Sequence, residues 1–111
     1  MEKIVQQGIL YDFYGELLTE HQRNVYESVV YENLSLGEIA ADMGVSRQAV
    51  HDLIKRCDRI LEGYEAKLGL IKRFGEVRTR IEQVEEILNN PINEEDRQKL
   101  QALTGEIREL L

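Results

Sequence analysis

The run LGEIAADMGVSRQAVHDLIK, residues 36–55, constrains this chain more than any other stretch of its sequence. Two helices that cross at a tight angle need three things: a small residue where their backbones meet, a turn residue that accepts positive φ, and apolar residues at the contacts. Ala40 is the small residue and Gly44 the turn, while Ile39, Met43, Val45, Val50 and Leu53 form the shared core. Ser46 stands where a hydroxyl can cap the second helix, whose inward positions Ala49, Val50, Leu53 and Ile54 follow at helical spacing. The segment therefore reads as a helix-turn-helix.

The flanking sequence is helical throughout. Ile9, Phe13 and Leu17, with Leu10, Tyr14 and Leu18 one step behind, predict an amphipathic helix over about residues 3–17. Thr19 followed three residues later by Gln22 is a capping box that starts a second helix near Glu20, and Asn33 suits its end. Ser35 with Glu38 predicts a second capping box at the start of the helix-turn-helix. The only proline, Pro91, sits in the turn NNPIN, after which Asn93 and three acidic residues open a last helix carrying Leu100, Leu103, Ile107 and Leu110. No strand-like alternation occurs, so the expected fold is all-α: a helix-turn-helix domain, a long helical arm and a C-terminal return helix.

The arm follows from a heptad-like seam. From Ile54 it runs through Cys57, Leu61, Tyr64, Leu68 and Ile71, then resumes at Phe74, Val77, Ile81, Val84 and Leu88 after one short step. Unbroken, residues 46–89 would extend ~66 Å, so a bend or break near Gly69 or Gly75 is one expectation, and a partner for the seam is another. The ten apolar positions from Cys57 to Leu88 exceed what the return helix can cover. A homodimer through Leu61, Tyr64, Leu68, Ile71, Phe74, Val77, Ile81, Val84 and Leu88 is expected, with residues 1–60 as the helix-turn-helix domain and 61–111 as arm and tail.

The net charge of −7 is unusual for a nucleic-acid binder, but its distribution is uneven. Residues 46–80 hold nine basic and five acidic groups, whereas residues 1–45 hold two and eight, and residues 81–111 three and eight. This basic island either contacts phosphate or faces the chain's own acidic flanks. In a major groove, the outward residues of the second helix would be Ser46, Arg47, Gln48, His51 and Lys55, with Arg56 and Arg59 extending the charge and Asp52 and Asp58 opposing it.

Other chemistry is not indicated. His21 and His51 lie in no metal-ligand pattern, no phosphate loop or nucleophile elbow occurs, and the lone Cys57 reads as a packing residue. The chain is expected to be no enzyme and to need no metal or cofactor. No apolar stretch reaches the ~20 residues of a membrane span, and the start MEKIVQQGIL resembles no leader, so the expected location is the cytoplasm without membrane insertion.

Residues 17–70 resemble the promoter-reading helix-turn-helix domain at the C-terminal end of bacterial sigma factors. The opening YDFYGELLTEHQ, the core LSLGEIAADMGVSRQAVHDLIKR, the KLGL segment and the acidic tail resemble the YlxM family of small bacterial proteins over nearly the whole chain. In that family the gene typically lies beside those for the signal recognition particle GTPase and its receptor. The resemblance thus implies a regulatory or accessory role in that targeting pathway, with the particle's GTPase or its RNA as partner. The sigma-factor likeness implies duplex DNA as the alternative, with Ser46, Arg47, Gln48 and His51 in the places of DNA-facing residues.

Overall fold

Side-chain caps set where most of the helices begin. In the computed structural model, which describes residues 2–111, Thr19 accepts from the amide of Gln22 while the Gln22 side chain accepts from the amide of Thr19, at 3.2 and 3.0 Å. This opens α2 (Glu20–Val30). Ser35 accepts from Glu38 N at 3.1 Å to open α3 (Leu36–Met43), a one-sided cap in place of the expected reciprocal box. Ser46 accepts from Ala49 N at 3.0 Å to open α4 (Arg47–Leu68). α1 (Lys3–Tyr14) precedes them and tightens into a 3-10 turn, Gly15–Leu17. α5 (Leu70–Leu88) and α6 (Glu94–Leu110) complete the chain, and no strand occurs among the described residues.

The turn between α3 and α4 forms as the sequence predicts. Gly44 adopts φ +68°, and the amide of Val45 reaches back 3.1 Å to the carbonyl of Ala40, which satisfies an acceptor that the helix end would otherwise orphan. Asn33, the one non-glycine residue of positive φ among those described, ends the α2 connection at φ 55°. Gly69, at φ +62°, stops α4 in the same way.

The helices form two compact units divided after Gly69. The first holds α1 to α4 around a core of Tyr14, Tyr26, Val50, Cys57 and Leu61, each 1% exposed or less, with Ile39, Ala40 and Ile54 also buried. Burying side chains of this size stabilises by roughly 1.5–3 kcal/mol each. The Tyr11 ring stacks on Tyr26 with centroids 5.7 Å apart and meets Tyr31 edge-on at 5.5 Å, so Tyr11 and Tyr26 serve as core with the exposed Tyr31 at its edge. Their hydroxyls are satisfied by carboxylates: Tyr11 donates to Glu27, Tyr14 to Glu65 and Tyr31 to Asp12.

Several expectations are corrected here. The buried face of α1 runs through Gln7, Tyr11 and Tyr14 and continues to Leu18, while Leu17 is more than half exposed. Gly15 explains the change, because a Cβ there would lie 2.7 Å from the Tyr11 ring, which packs on bare backbone. Val45, expected in the core, is 42% exposed and Ala49 is exposed as well, since both lie on the outer rim of the turn; Met43 and Leu53 are half-buried. Leu61 is fully buried within the first unit and Tyr64 stacks on Tyr14 at 6.1 Å, so these two belong to the head and not to a dimer seam. The boundary accordingly lies at Gly69 rather than after residue 60, and the arm breaks there, at one of the two glycines where the sequence placed a bend or break.

The second unit is a hairpin of α5 and α6 joined by a turn at residues 89–93. Asn93 accepts from Asp96 N at 2.8 Å and the Asp96 carboxylate accepts in return from Asn93 N at 3.4 Å, a reciprocal cap reinforced by acidic residues at a helix start. Arg80 on α5 reaches Glu106 on α6 at 3.0 Å. No residue of either helix is fully buried: Val77, Val84, Leu103 and Ile107 are half-buried, and Phe74, Ile81 and Leu88 are exposed.

Candidate nucleic-acid interface

α4 has two faces with opposite tasks. At ~100° per residue, Val50, Ile54, Cys57 and Leu61 fall on one side, where all four are buried. Gln48, Asp52, Lys55, Arg56 and Arg59 share an outward arc of roughly 100°, and all are exposed. The buried side holds the helix rigidly, so the outward charges project from a fixed rod.

Arg47 leaves this arc. Its side chain runs past the start of α3, where a Cβ built at Gly37 would come within 3.8 Å of its Nε and 3.8 Å of Ser35 Oγ. That is ordinary van der Waals distance, so the Arg47 side chain lies against the start of α3 as well as at the start of its own helix. Ser46 spends its hydroxyl on the amide of Ala49.

Two predicted readers are tied to a neighbour. Gln48 donates its side-chain amide to the Asp52 carboxylate at 2.8 Å, and His51 Nδ1 lies 3.6 Å from the same group. Asp52 thus holds Gln48 in place but adds a negative charge to the face. Asp58, read from the sequence as a second opposing charge, is removed from that role. It is buried, and accepts from Gln7 Nε2 at 2.9 Å and from the Tyr26 hydroxyl at 2.6 Å. Burial, and then the hydrogen bond to Asp58, push the Tyr26 hydroxyl far above the ordinary tyrosine range. Burial likewise raises the neighbouring Cys57 thiol to about 11, which suits a packing residue and not a nucleophile.

The cations at the start and on the outward face of α4 are not consumed by the protein's own acids, whereas Arg80, at the far end of the basic island, pairs with Glu106. Among the described residues Arg47, Lys55, Arg56 and Arg59 form no salt bridge; Arg59 Nε contacts only the Lys55 carbonyl, at 3.4 Å. Asp12 on α1 and Glu27 on α2 accept from tyrosine hydroxyls instead. Lys3, which sequence reasoning missed, comes from α1 close enough to Lys55 that its ammonium lowers the Lys55 pKa. Packing of α1 on α4 brings this pair together, and no local signal could reveal it.

No group of three or more His, Cys, Asp or Glu side chains that could hold a metal occurs among the described residues, nor does any helix long and apolar enough to cross a membrane. Gln48, His51, Lys55, Arg56 and Arg59 are exposed on α4, with Ser46 as its cap and Arg47, its first residue, turned toward α3.

Comparison with known proteins agrees with this architecture. Residues 1–103 match the family model UPF0122, described as "Putative helix-turn-helix protein, YlxM / p13 like". A UPF0122 protein of Bacillus mycoides (strain KBAB4) is 41% identical over 105 residues, covering 93% of this chain and 96% of that one. A UPF0122 protein of Desulforamulus reducens is 39% identical over 111 residues, 100% of this chain and 95% of its own. One from Caldanaerobacter subterraneus subsp. tengcongensis is 46% identical over 80 residues, 72% and 68% of the two chains. With a matching family model over nearly its full length, and a capped two-helix unit turning at Gly44, the chain belongs to the UPF0122 family of YlxM / p13-like helix-turn-helix proteins.

Proposed function

We propose that this protein is a non-enzymatic regulatory or accessory factor of the signal recognition particle pathway that binds the particle's RNA through the outward face of α4. One observation carries the RNA reading: Lys55, Arg56 and Arg59 are exposed on a helix anchored by its opposite face, and none is neutralised by an ion pair among the described residues. Such a row contacts phosphates spaced along a backbone and releases counterions on binding. The pathway is an inference from the family resemblance, and the particle's GTPase is the other partner it suggests.

A second reading, recognition of duplex DNA, is favoured by the start of α4. There Arg47 and Gln48 stand just after a left-handed turn and a serine cap, the part of a second helix that meets base edges in a major groove.

The deciding experiment offers the purified protein the particle's RNA, its GTPase and random-sequence duplex DNA, each at two salt concentrations. The RNA reading expects tightest binding to RNA, a steep loss with salt, and weakening by Arg56→Glu and Arg59→Glu. Preference for the GTPase would overturn the RNA reading while keeping the pathway. Preference for DNA, with Arg47→Ala and Gln48→Ala costing about 1–3 kcal/mol of sequence discrimination, would replace both.

A further inference from the structure

The α5–α6 hairpin carries an apolar surface of its own. On α5 the apolar residues keep a strict seven-residue repeat in two rows: Phe74, Ile81 and Leu88 in one, Leu70, Val77 and Val84 in the other, offset by three and four. That is the a and d pattern of a helix seated in a bundle. The return helix supplies Leu100, Leu103, Ile107 and Leu110 at the same alternating spacing, yet Phe74, Ile81 and Leu88 remain 50%, 43% and 55% exposed, and nothing on either helix is fully buried. A two-helix unit without a closed core is too small to be stable by its own packing.

The charges beside this surface indicate the occupant. A groove on the hairpin is lined by Phe74, Val77, Ile81 and Leu111, with Arg78 on its rim toward one end and Glu82 and Glu85 toward the other. Arg78 and Glu85 stand seven residues apart, in equivalent positions of successive heptads, and both are exposed. An identical helix laid antiparallel about a two-fold axis between residues 81 and 82 would set Arg78 of each copy opposite Glu85 of the other. It would also bring the two Ile81 side chains side by side and Phe74 to the level of Leu88. Opposite signs meet twice in this arrangement, as a self-complementary isologous patch requires.

We propose that this face of α5 docks antiparallel on α5 of a second copy of the chain, so that two hairpins close a four-helix bundle. The proposal does not depend on which ligand α4 binds, and its readout is mass rather than binding.

The test is sedimentation equilibrium on the full chain at micromolar concentration, with helicity followed by circular dichroism. The expected species has twice the 12.9 kDa chain mass, and Ile81→Glu returns it to the single mass with α4 and the head still folded. Arg78→Glu and Glu85→Arg each raise the dissociation constant at least about five-fold, and the double exchange restores it to within about two-fold. Both positions are exposed, so these variants keep the test open should Ile81→Glu lose helicity. A wild-type chain of single mass throughout, or a dimer unmoved by either reversal, overturns the proposal.

Discussion

The hydroxyl of Tyr26 on α2 donates across 2.6 Å to the buried carboxylate of Asp58 on α4, and the same oxygen accepts from Gln7 on α1. One carboxylate thus ties three helices at the centre of the first unit. Removing one member of a buried hydrogen-bonded set costs more than the bond contributed, because its partners stay desolvated. Tyr26→Phe should destabilise by about 1–2 kcal/mol and Asp58→Ala by about 2–4 kcal/mol, the latter leaving two buried donors unmet. Urea unfolding followed by circular dichroism measures both, and the double variant should cost less than the sum.

The same contact makes stability depend on alkaline pH. Tyr26 is held above its ordinary value of 10.0, first by burial and then by the Asp58 hydrogen bond, so the folded state favours the neutral hydroxyl more than the unfolded state does. The sign follows directly: this contribution is whole below about pH 10 and is lost as pH rises through the higher folded value. Tyr31, raised to about 12 by burial and by Asp12, adds to the loss in the same direction. The urea midpoint should be level with respect to these groups up to about pH 10 and fall above it, with a shallower fall in Tyr26→Phe.

Much of the first unit was legible because its signals are local. The reciprocal cap at Thr19 and Gln22, the serine caps of α3 and α4 and the left-handed Gly44 each depend on residues a few positions apart, and each stands where the sequence puts it. What the sequence misplaced depends on distant partners. Tyr11 displaced Leu17 from the buried face because its ring could lie on Gly15 and its hydroxyl could reach Glu27. Asp58 looked like a surface charge since its donors lie 51 and 32 residues away. Leu61 and Tyr64 lie on the same seam as the later heptads apart from one short step after Ile71, and only the packing of α1 shows that they serve the head. In the candidate interface the residue types were readable, whereas the tie of Gln48 to Asp52, the approach of Arg47 to Gly37 and the Lys3–Lys55 pair were not.

Glycines in two settings should respond in opposite ways to the same substitution. Gly44 and Gly63 both have open space where a Cβ would go, so neither is kept by packing. Gly44 holds φ +68° and alanine there would be forced into a left-handed conformation, costing about 1–2 kcal/mol. Gly63 lies inside α4, where alanine removes backbone freedom from the unfolded chain and stabilises by roughly 0.5–1 kcal/mol. Thermal melts of Gly44→Ala and Gly63→Ala should therefore shift in opposite directions. A fall of similar size in both would mean that the two glycines do the same job, contrary to the backbone angles.

Asp52 provides the sharpest test of how the outward face of α4 meets a ligand. Its carboxylate lies among Lys55, Arg56 and Arg59 on the same exposed arc, and it also accepts from Gln48 at 2.8 Å. A phosphate backbone approaching these cations must come near that negative charge, whose removal should tighten binding. Asn at this position keeps an acceptor for Gln48 and the length of the side chain. Asp52→Asn is expected to bind the particle's RNA about three-fold more tightly at low salt, with the gain shrinking as salt screens the repulsion. Filter binding across a salt series measures it. If the ligand is instead read by an ordered Gln48, as in a duplex groove, full loss of that contact in Asp52→Ala should weaken discrimination between sequences even as overall affinity rises, which separates backbone contact from base reading in one pair of variants.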